Sequence, residues 1–445
     1  MQMDPSARPF RGVTIRYLLV IWILILGAIA FLDRTNIAIA GIQIGRAFRI
    51  DNTRLGWVFS AFLVGYAAFQ IPGGVLARRF GPRRVLAAGL LWWGVFTALT
   101  ALVSPGMTGA LEVLLLIRFT LGAGEAILYP CANQFVERWF PIPERGKAAG
   151  IIFAGGGLGS ALAPPLLTAI ILRYGWHWSF WFCAVLGAVA GAAWYAAARD
   201  TPEAHPWVGR TELALIAGGR GDPVDAAQTQ DAVAAPVPPR TVPWRGIFTN
   251  PSMMAVSASY FAYGYVSWIF FSWFYLYLAE VRGLSLRTSA IYSIFPFAAM
   301  TLGSVAGGVI SDWLAHRFGA RAGRCHWPAA ALGLTALLIA GGSRVHHAQT
   351  ASLVLACGAG ALYLSQSCFW SVTADFAGTF AGVASGAMNM CCQIGGAVTA
   401  TLTPLIAARF GWEASFSTAT ALAIFGGLAW LGVDPHARLK PGSAI

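Results

Sequence analysis

Twelve stretches of this chain are apolar for long enough to cross a bilayer: 17–39, 55–77, 84–103, 111–131, 147–171, 178–198, 251–279, 288–311, 327–342, 350–373, 381–408 and 413–433. A helix needs about 20 apolar residues to span the hydrocarbon. In that medium every backbone amide must find a partner within the chain, so runs of this length become helices. Only 11% of the residues are charged, whereas a soluble domain averages about 25%. The sequence therefore specifies an all-α membrane protein with the lipid bilayer as its surroundings.

The runs fall six and six around a polar stretch, which contains GDPVDAAQTQDAVAAPVPPRTVPW. Such a composition buries too little apolar surface to form a core. The expected organisation is a tail (1–16), a six-helix bundle (17–198), a linker with a short helix near 210–218 (199–250), a second six-helix bundle (251–433) and a tail (434–445). The first run lacks a small-residue cleavage pattern and leads into Asp33 and Arg34, so it reads as a retained helix.

Net charge is +12. In a soluble protein that surplus would suggest a nucleic-acid partner. Here the lysines and arginines sit in short loops, mostly on the side of the termini and linker, as in the cluster Arg78, Arg79, Arg83 and Arg84. The basic side of a membrane protein faces the cytoplasm. Both termini are therefore expected inside the plasma (inner) membrane, with no nucleic-acid partner.

Four charged side chains lie deep within apolar runs: Asp33 and Arg34 in the first, Arg118 and Glu125 in the fourth. Each such charge costs ~2.5–3.5 kcal/mol on insertion scales. Arg118 and Glu125 are separated by nearly two helical turns and share a face. A guanidinium offsets the water a carboxylate loses by donating paired hydrogen bonds, so Arg34 and Arg118 are candidates for holding an organic anion. Asp33 and Glu125 are candidates for carrying a proton, because burial favours the neutral carboxyl and a nearby arginine favours the charged one. The competing reading is a fixed set of ion pairs that never titrates.

Other polar groups interrupt the apolar runs. Tyr66 places a hydroxyl in the second, Ser367 and Trp370 lie one turn apart in the tenth, and Asn389 is a lone amide in the eleventh. Each also has a plain structural explanation, as a packed aromatic or an interhelical hydrogen bond. The segment Gly155-Gly156-Gly157-Leu158-Gly159 lacks the Lys-Ser/Thr of a phosphate loop and reads as close helix packing. No His or Cys grouping has metal-ligand spacing, and no nucleophile–base pair is evident. Neither a metal, a cofactor nor enzymatic turnover is expected.

Gly73-Gly74-Val75-Leu76-Ala77-Arg78-Arg79-Phe80-Gly81 follows the second run, and Gly307-Gly308-Val309-Ile310-Ser311-Asp312-Trp313 with Phe318-Gly319 follows the eighth. Matching strings at equivalent places indicate an internal repeat. Six plus six helices with this loop resemble the major facilitator superfamily, whose fold has two pseudo-symmetric six-helix bundles. Phe31-Leu32-Asp33-Arg34-Thr35-Asn36, Gln70-Ile71-Pro72-Gly73-Gly74, Gly122-Ala123-Gly124-Glu125-Ala126 and Tyr129-Pro130 resemble the anion:cation symporter family within it.

The resemblance implies proton-coupled uptake of an organic carboxylate by a monomer working by alternating access. The substrate would be a sugar acid, an aromatic acid or a small dicarboxylate. It implies Arg34 as a substrate ligand, Arg118 connected to Glu125 on its own helix, and Asp33 and Glu125 as proton carriers. It also implies Ser367 and Asn389 as polar contacts and Trp370 as a cavity wall. Sodium coupling and a non-transporting sensor of the same fold are the alternatives. Three positions depart from the pattern. Arg78 stands where the loop has an acid, Phe31 where galactonate-type members have Tyr, and Gly156 where they have a Gln. The last two point to a substrate with fewer hydroxyls or a bulkier apolar part than a sugar acid.

Overall fold

The computed structural model describes residues 14–219 and 244–439. The tail residues Arg8, Arg11 and Lys440, and the linker residues Arg220 and Arg240, lie outside the described residues. Helices follow the apolar runs: α1 (Ile15–Ile39), α2 (Asn52–Phe80), α3 (Pro82–Leu102), α4 (Ala110–Glu125 and Leu128–Trp139), α5 (Ile142–Tyr174) and α6 (Trp176–Ala197). After the linker come α7 (Pro251–Ser272), α8 (Leu286–Phe318), α9 (Trp327–Arg344), α10 (Ala348–Ala377), α11 (Ala381–Phe410) and α12 (Trp412–Leu431). The short linker helix is present at Arg210–Gly219.

Among the described residues, ten helices are long and apolar enough to cross a membrane. The two expected runs outside that set are α4 and α7. Length explains α4, which breaks after Glu125 into segments of 16 and 12 residues. Tyrosine, tryptophan and serine dilute α7. Both helices help to build the site described below.

The two halves repeat their turns. Gly81 (φ 85°) and Gly319 (φ 92°) end α2 and α8, while Gly175 (φ 90°) and Gly411 (φ 83°) end α5 and α11. Only glycine adopts that backbone without strain. The repeated loops differ in their electrostatics. In the second half Asp312 pairs with Arg324 at 2.8 Å. In the first half Arg78 is exposed, and the acid comes from Asp200, which accepts the Arg83 amide at 2.9 Å.

Glycine also sets the helix crossings. A Cβ at Gly155 or Gly159 on α5 would collide with the carbonyls of Leu24 and Ala28 on α1. One at Gly65 on α2 would strike Phe119 on α4, and one at Gly122 on α4 would strike Phe62 on α2. The second half repeats this, with Gly264 and Gly395 joining α7 to α11 and Gly303 and Gly307 joining α8 to α10. Small residues let backbones meet where lipid offers no hydrophobic drive.

Side-chain hydrogen bonds between the halves, among the described residues, all lie toward the end away from the linker. Asn52 donates to Glu280 at 3.4 Å, Ser60 donates to the Ala397 carbonyl at 2.7 Å and meets Thr401 at 2.7 Å, and Thr168 meets the Tyr275 hydroxyl at 3.2 Å. At the linker end, the Glu212 carboxylate accepts the amides of Ile15 and Arg16, at 3.3 and 3.2 Å. The Arg16 guanidinium pairs with Glu144 at 3.1 Å.

Candidate functional site

The close crossings of α1 with α5 and of α2 with α4 bring four charged side chains into one buried cluster. Asp33, Arg34, Arg118 and Glu125 are each at most 6% exposed. Arg34 on α1 donates from Nε to Oε2 of Glu125 on α4, at 2.5 Å. Asp33 accepts the Thr97 hydroxyl of α3 at 2.6 Å. Arg118 forms no ion pair within 4.0 Å among the described residues, and its guanidinium lies 4.9 Å from the Phe62 ring.

This pairing differs from the expectation that Arg118 connects to Glu125 on its own helix. The physical reason is the neighbouring helix. Arg34 reaches across from α1 and takes the glutamate, while Arg118 is turned over Phe62. The Arg34 guanidinium is held between aromatic rings, 4.6 Å from both Phe31 and Tyr66. Such contacts stabilise a desolvated cation by ~2 kcal/mol or more.

The cluster retains unused hydrogen-bonding capacity. Asp33 Oδ1, Arg34 Nη2, Arg118 Nε and Glu125 Oε1 are buried without a partner. Such groups are costly to leave unmatched. Arg34 and Arg118 line one small cavity, whose opposite wall in the second half is Trp268, Phe271 and Ser272 of α7. The arrangement can hold a negative charge at a guanidinium edge and move a proton at a carboxylate.

Five of the eight expected residues thus meet: Asp33, Arg34, Tyr66, Arg118 and Glu125. Trp370 approaches from the second half, 6.0 Å from Phe153 and 6.4 Å from Tyr260. Ser367 and Asn389 make no hydrogen bond to the cluster among the described residues. The Ser367 hydroxyl is buried without a partner and lies beside Gly308 of α8. Asn389 is half-buried on α11.

Sequence reasoning missed Thr97. A lone hydroxyl is a weak signal, because many threonines bond their own helix carbonyls, as Thr100 does. It also missed Asn36, which is fully buried and accepts the Ser179 hydroxyl of α6 at 2.7 Å. This fixes α1 one turn beyond Asp33. Here the signal was present, since an amide next to a charged pair in an apolar run needs a partner.

The sequence profile of the Major Facilitator Superfamily matches residues 23–400. The chain belongs to this superfamily. Among curated relatives it is similar to a probable sulfoacetate transporter, SauU, of Cupriavidus necator, 35% identical over 92% of this chain and 91% of that protein. It is also similar to a probable galactarate/D-glucarate transporter, GarP, of Escherichia coli, 31% identical over 71% of each chain. These relatives match the anion:cation symporter reading, and they are transporters, not enzymes. Among solved structures, the fold is similar to a bacterial homologue of the human lysosomal transporter Spinster in an inward-facing, occupied conformation. The TM-score is 0.74 at 15% identity, covering 94% of this chain and 97% of that one. It is similar as well to a D-xylose–proton symporter, with TM-score 0.71 at 13% identity, covering 94% and 98%. This Major Facilitator protein therefore has the transporter fold and transporter relatives that handle small organic anions.

Proposed function

We propose that this protein imports a small organic anion together with protons, by alternating access. One observation carries the reading: Arg34, buried in its pair with Glu125, lines a cavity that both halves wall. A proton on Glu125 cancels its charge and loosens its hold on Arg34. The freed guanidinium then takes the acid group of the substrate. When the substrate leaves, Arg34 is uncompensated until Glu125 loses its proton and pairs with it again. Binding of anion and proton are thereby linked, because each favours the other.

Asp33 is the second proton carrier in this scheme, held by Thr97 and facing Arg118. Trp370 and Phe153 form the wall on the linker side, and Ser367 and Asn389 supply polar contacts when the halves close around the substrate. The hydrogen bonds between halves shut the end away from the linker. With the basic loops inside, the protein sits in the inner membrane as a monomer, termini in the cytoplasm, in a state closed to the outside. The substrates named for the relatives, sulfoacetate and galactarate or glucarate, make an organic carboxylate the class to test first.

The experiment is internal pH of sodium-free liposomes containing the purified protein, after candidate acids are added outside. Acidification with one class of acid supports proton-coupled import. Uptake that needs sodium and leaves internal pH unchanged would replace the proton with sodium.

A further inference from the structure

We infer that the substrate is a short dianion, one acid group held by Arg34 and the other by Arg118. This rests on the transport reading above and specifies the substrate class of the same site. Arg118 is 2% exposed, yet it has neither an ion pair within 4.0 Å nor a hydrogen bond among the described residues, and its Nε is unmatched. An unpaired guanidinium is expensive to bury, by several kcal/mol per ion. The nearby acids, Asp33 and Glu125, attract it only from beyond 4.0 Å. Glu125 is bound to Arg34, and Asp33 spends one oxygen on Thr97.

Both guanidiniums flank one ring. Arg34 lies 5.7 Å from the Phe62 centroid and Arg118 lies 4.9 Å from it. The two cations can be no farther apart than those distances laid end to end, which a short diacid spans. Both also line the same cavity, and each has an unmatched nitrogen. The remaining wall reads few hydroxyls. Ile37, Trp268 and Phe271 are apolar there, and Ser272 is the hydroxyl from the second half. The lining thus combines two cations with apolar side chains and one hydroxyl, a composition suited to a compact diacid more than to a polyhydroxy monoacid.

The test compares malonate, succinate and tartrate with their mono-amides, which keep the size and lose one charge. Binding to the full-length protein is read from tryptophan fluorescence, because Trp268 lines the cavity. At least one diacid should bind about tenfold or more tighter than its mono-amide, the size of a charge-assisted hydrogen bond. Arg118→Gln should shrink that ratio to about threefold or less, and Arg118→Lys should keep part of it. A wild-type protein that binds mono-amide and diacid equally overturns the inference. So does an Arg118→Gln variant that weakens both by the same factor. If Arg118→Gln does not fold, the wild-type comparison decides. If none of these compounds binds while benzoate or galactonate acidifies the liposomes, the dianion is wrong and the transport reading stands. If no acid binds or moves protons, both fall.

Discussion

Arg34 and Glu125 meet across two helices, with the arginine Nε 2.5 Å from a carboxylate oxygen and neither side chain more than 3% exposed. Removing one partner of such a pair leaves a buried charge alone. Arg34→Ala should therefore cost ~3–5 kcal/mol of stability and abolish both uptake and exchange. Glu125→Gln keeps a hydrogen-bonding group of the same shape. It should bind and exchange substrate but lose proton-driven accumulation by about tenfold or more. Counterflow and gradient-driven uptake, measured on the same liposomes, separate the two outcomes. Loss of both activities in Glu125→Gln would count against its role as the proton carrier.

Closure of the far end can be trapped. The hydroxyls of Ser60 and Thr401 are 2.7 Å apart across the halves, close enough for cysteines there to approach disulfide geometry. Ser60→Cys combined with Thr401→Cys should lose transport on oxidation and regain it on reduction. The exposed Cys357 should first be replaced by serine to prevent side reactions. Unchanged uptake in a fully cross-linked sample would show that this contact does not open during transport.

Adjacent glycines should respond very differently to alanine. At Gly155 the new methyl meets the Leu24 backbone, so Gly155→Ala must push α1 from α5 and should cost ~1–3 kcal/mol or more. At Gly156 the methyl would lie 3.0–3.3 Å from the Phe31 ring, which can turn aside. Gly156→Ala should thus cost under ~1 kcal/mol and instead change substrate preference, because Phe31 is stacked on Arg34. Melting temperature and competition for uptake read the two effects separately.

Beyond α6, His205 gives the fold an acid-sensitive turn. Its Nε2 donates to the Ala197 carbonyl at 3.0 Å, and Nδ1 accepts the Trp207 amide at 3.2 Å. Burial is the main cause that lowers its pKa from 6.5, with Arg199 adding to it. A neutral histidine with a lowered folded value stabilises above about pH 6.5 and loses that contribution as pH falls through the folded value. His205→Gln should therefore flatten the acid side of the stability profile. A profile with the wild-type slope would show that this turn does not report on folding.

Apolar run length made the helices legible, and the ends fall close to expectation. The run at 17–39 became Ile15–Ile39, and 381–408 became Ala381–Phe410. The break in α4 after Glu125 was not legible, because hydropathy reports where a helix is cheap and not where its axis bends. The cluster was half legible. Spacing placed Arg118 and Glu125 on one face, but which partner each takes depends on the helix beside it. Thr97 and Asp200 escaped for the same reason, since their partners Asp33 and Arg83 are remote in sequence.

Glu212 follows the sixth helix and reaches back to the first two amides of α1. The two ends of the first half are thereby fastened to each other. A chain emerging from the ribosome makes this half, and the clasp that ties it, before any of the second half exists. Assembly can then proceed in two instalments, with α1 and its charged residues already seated when α7 arrives to complete the cavity.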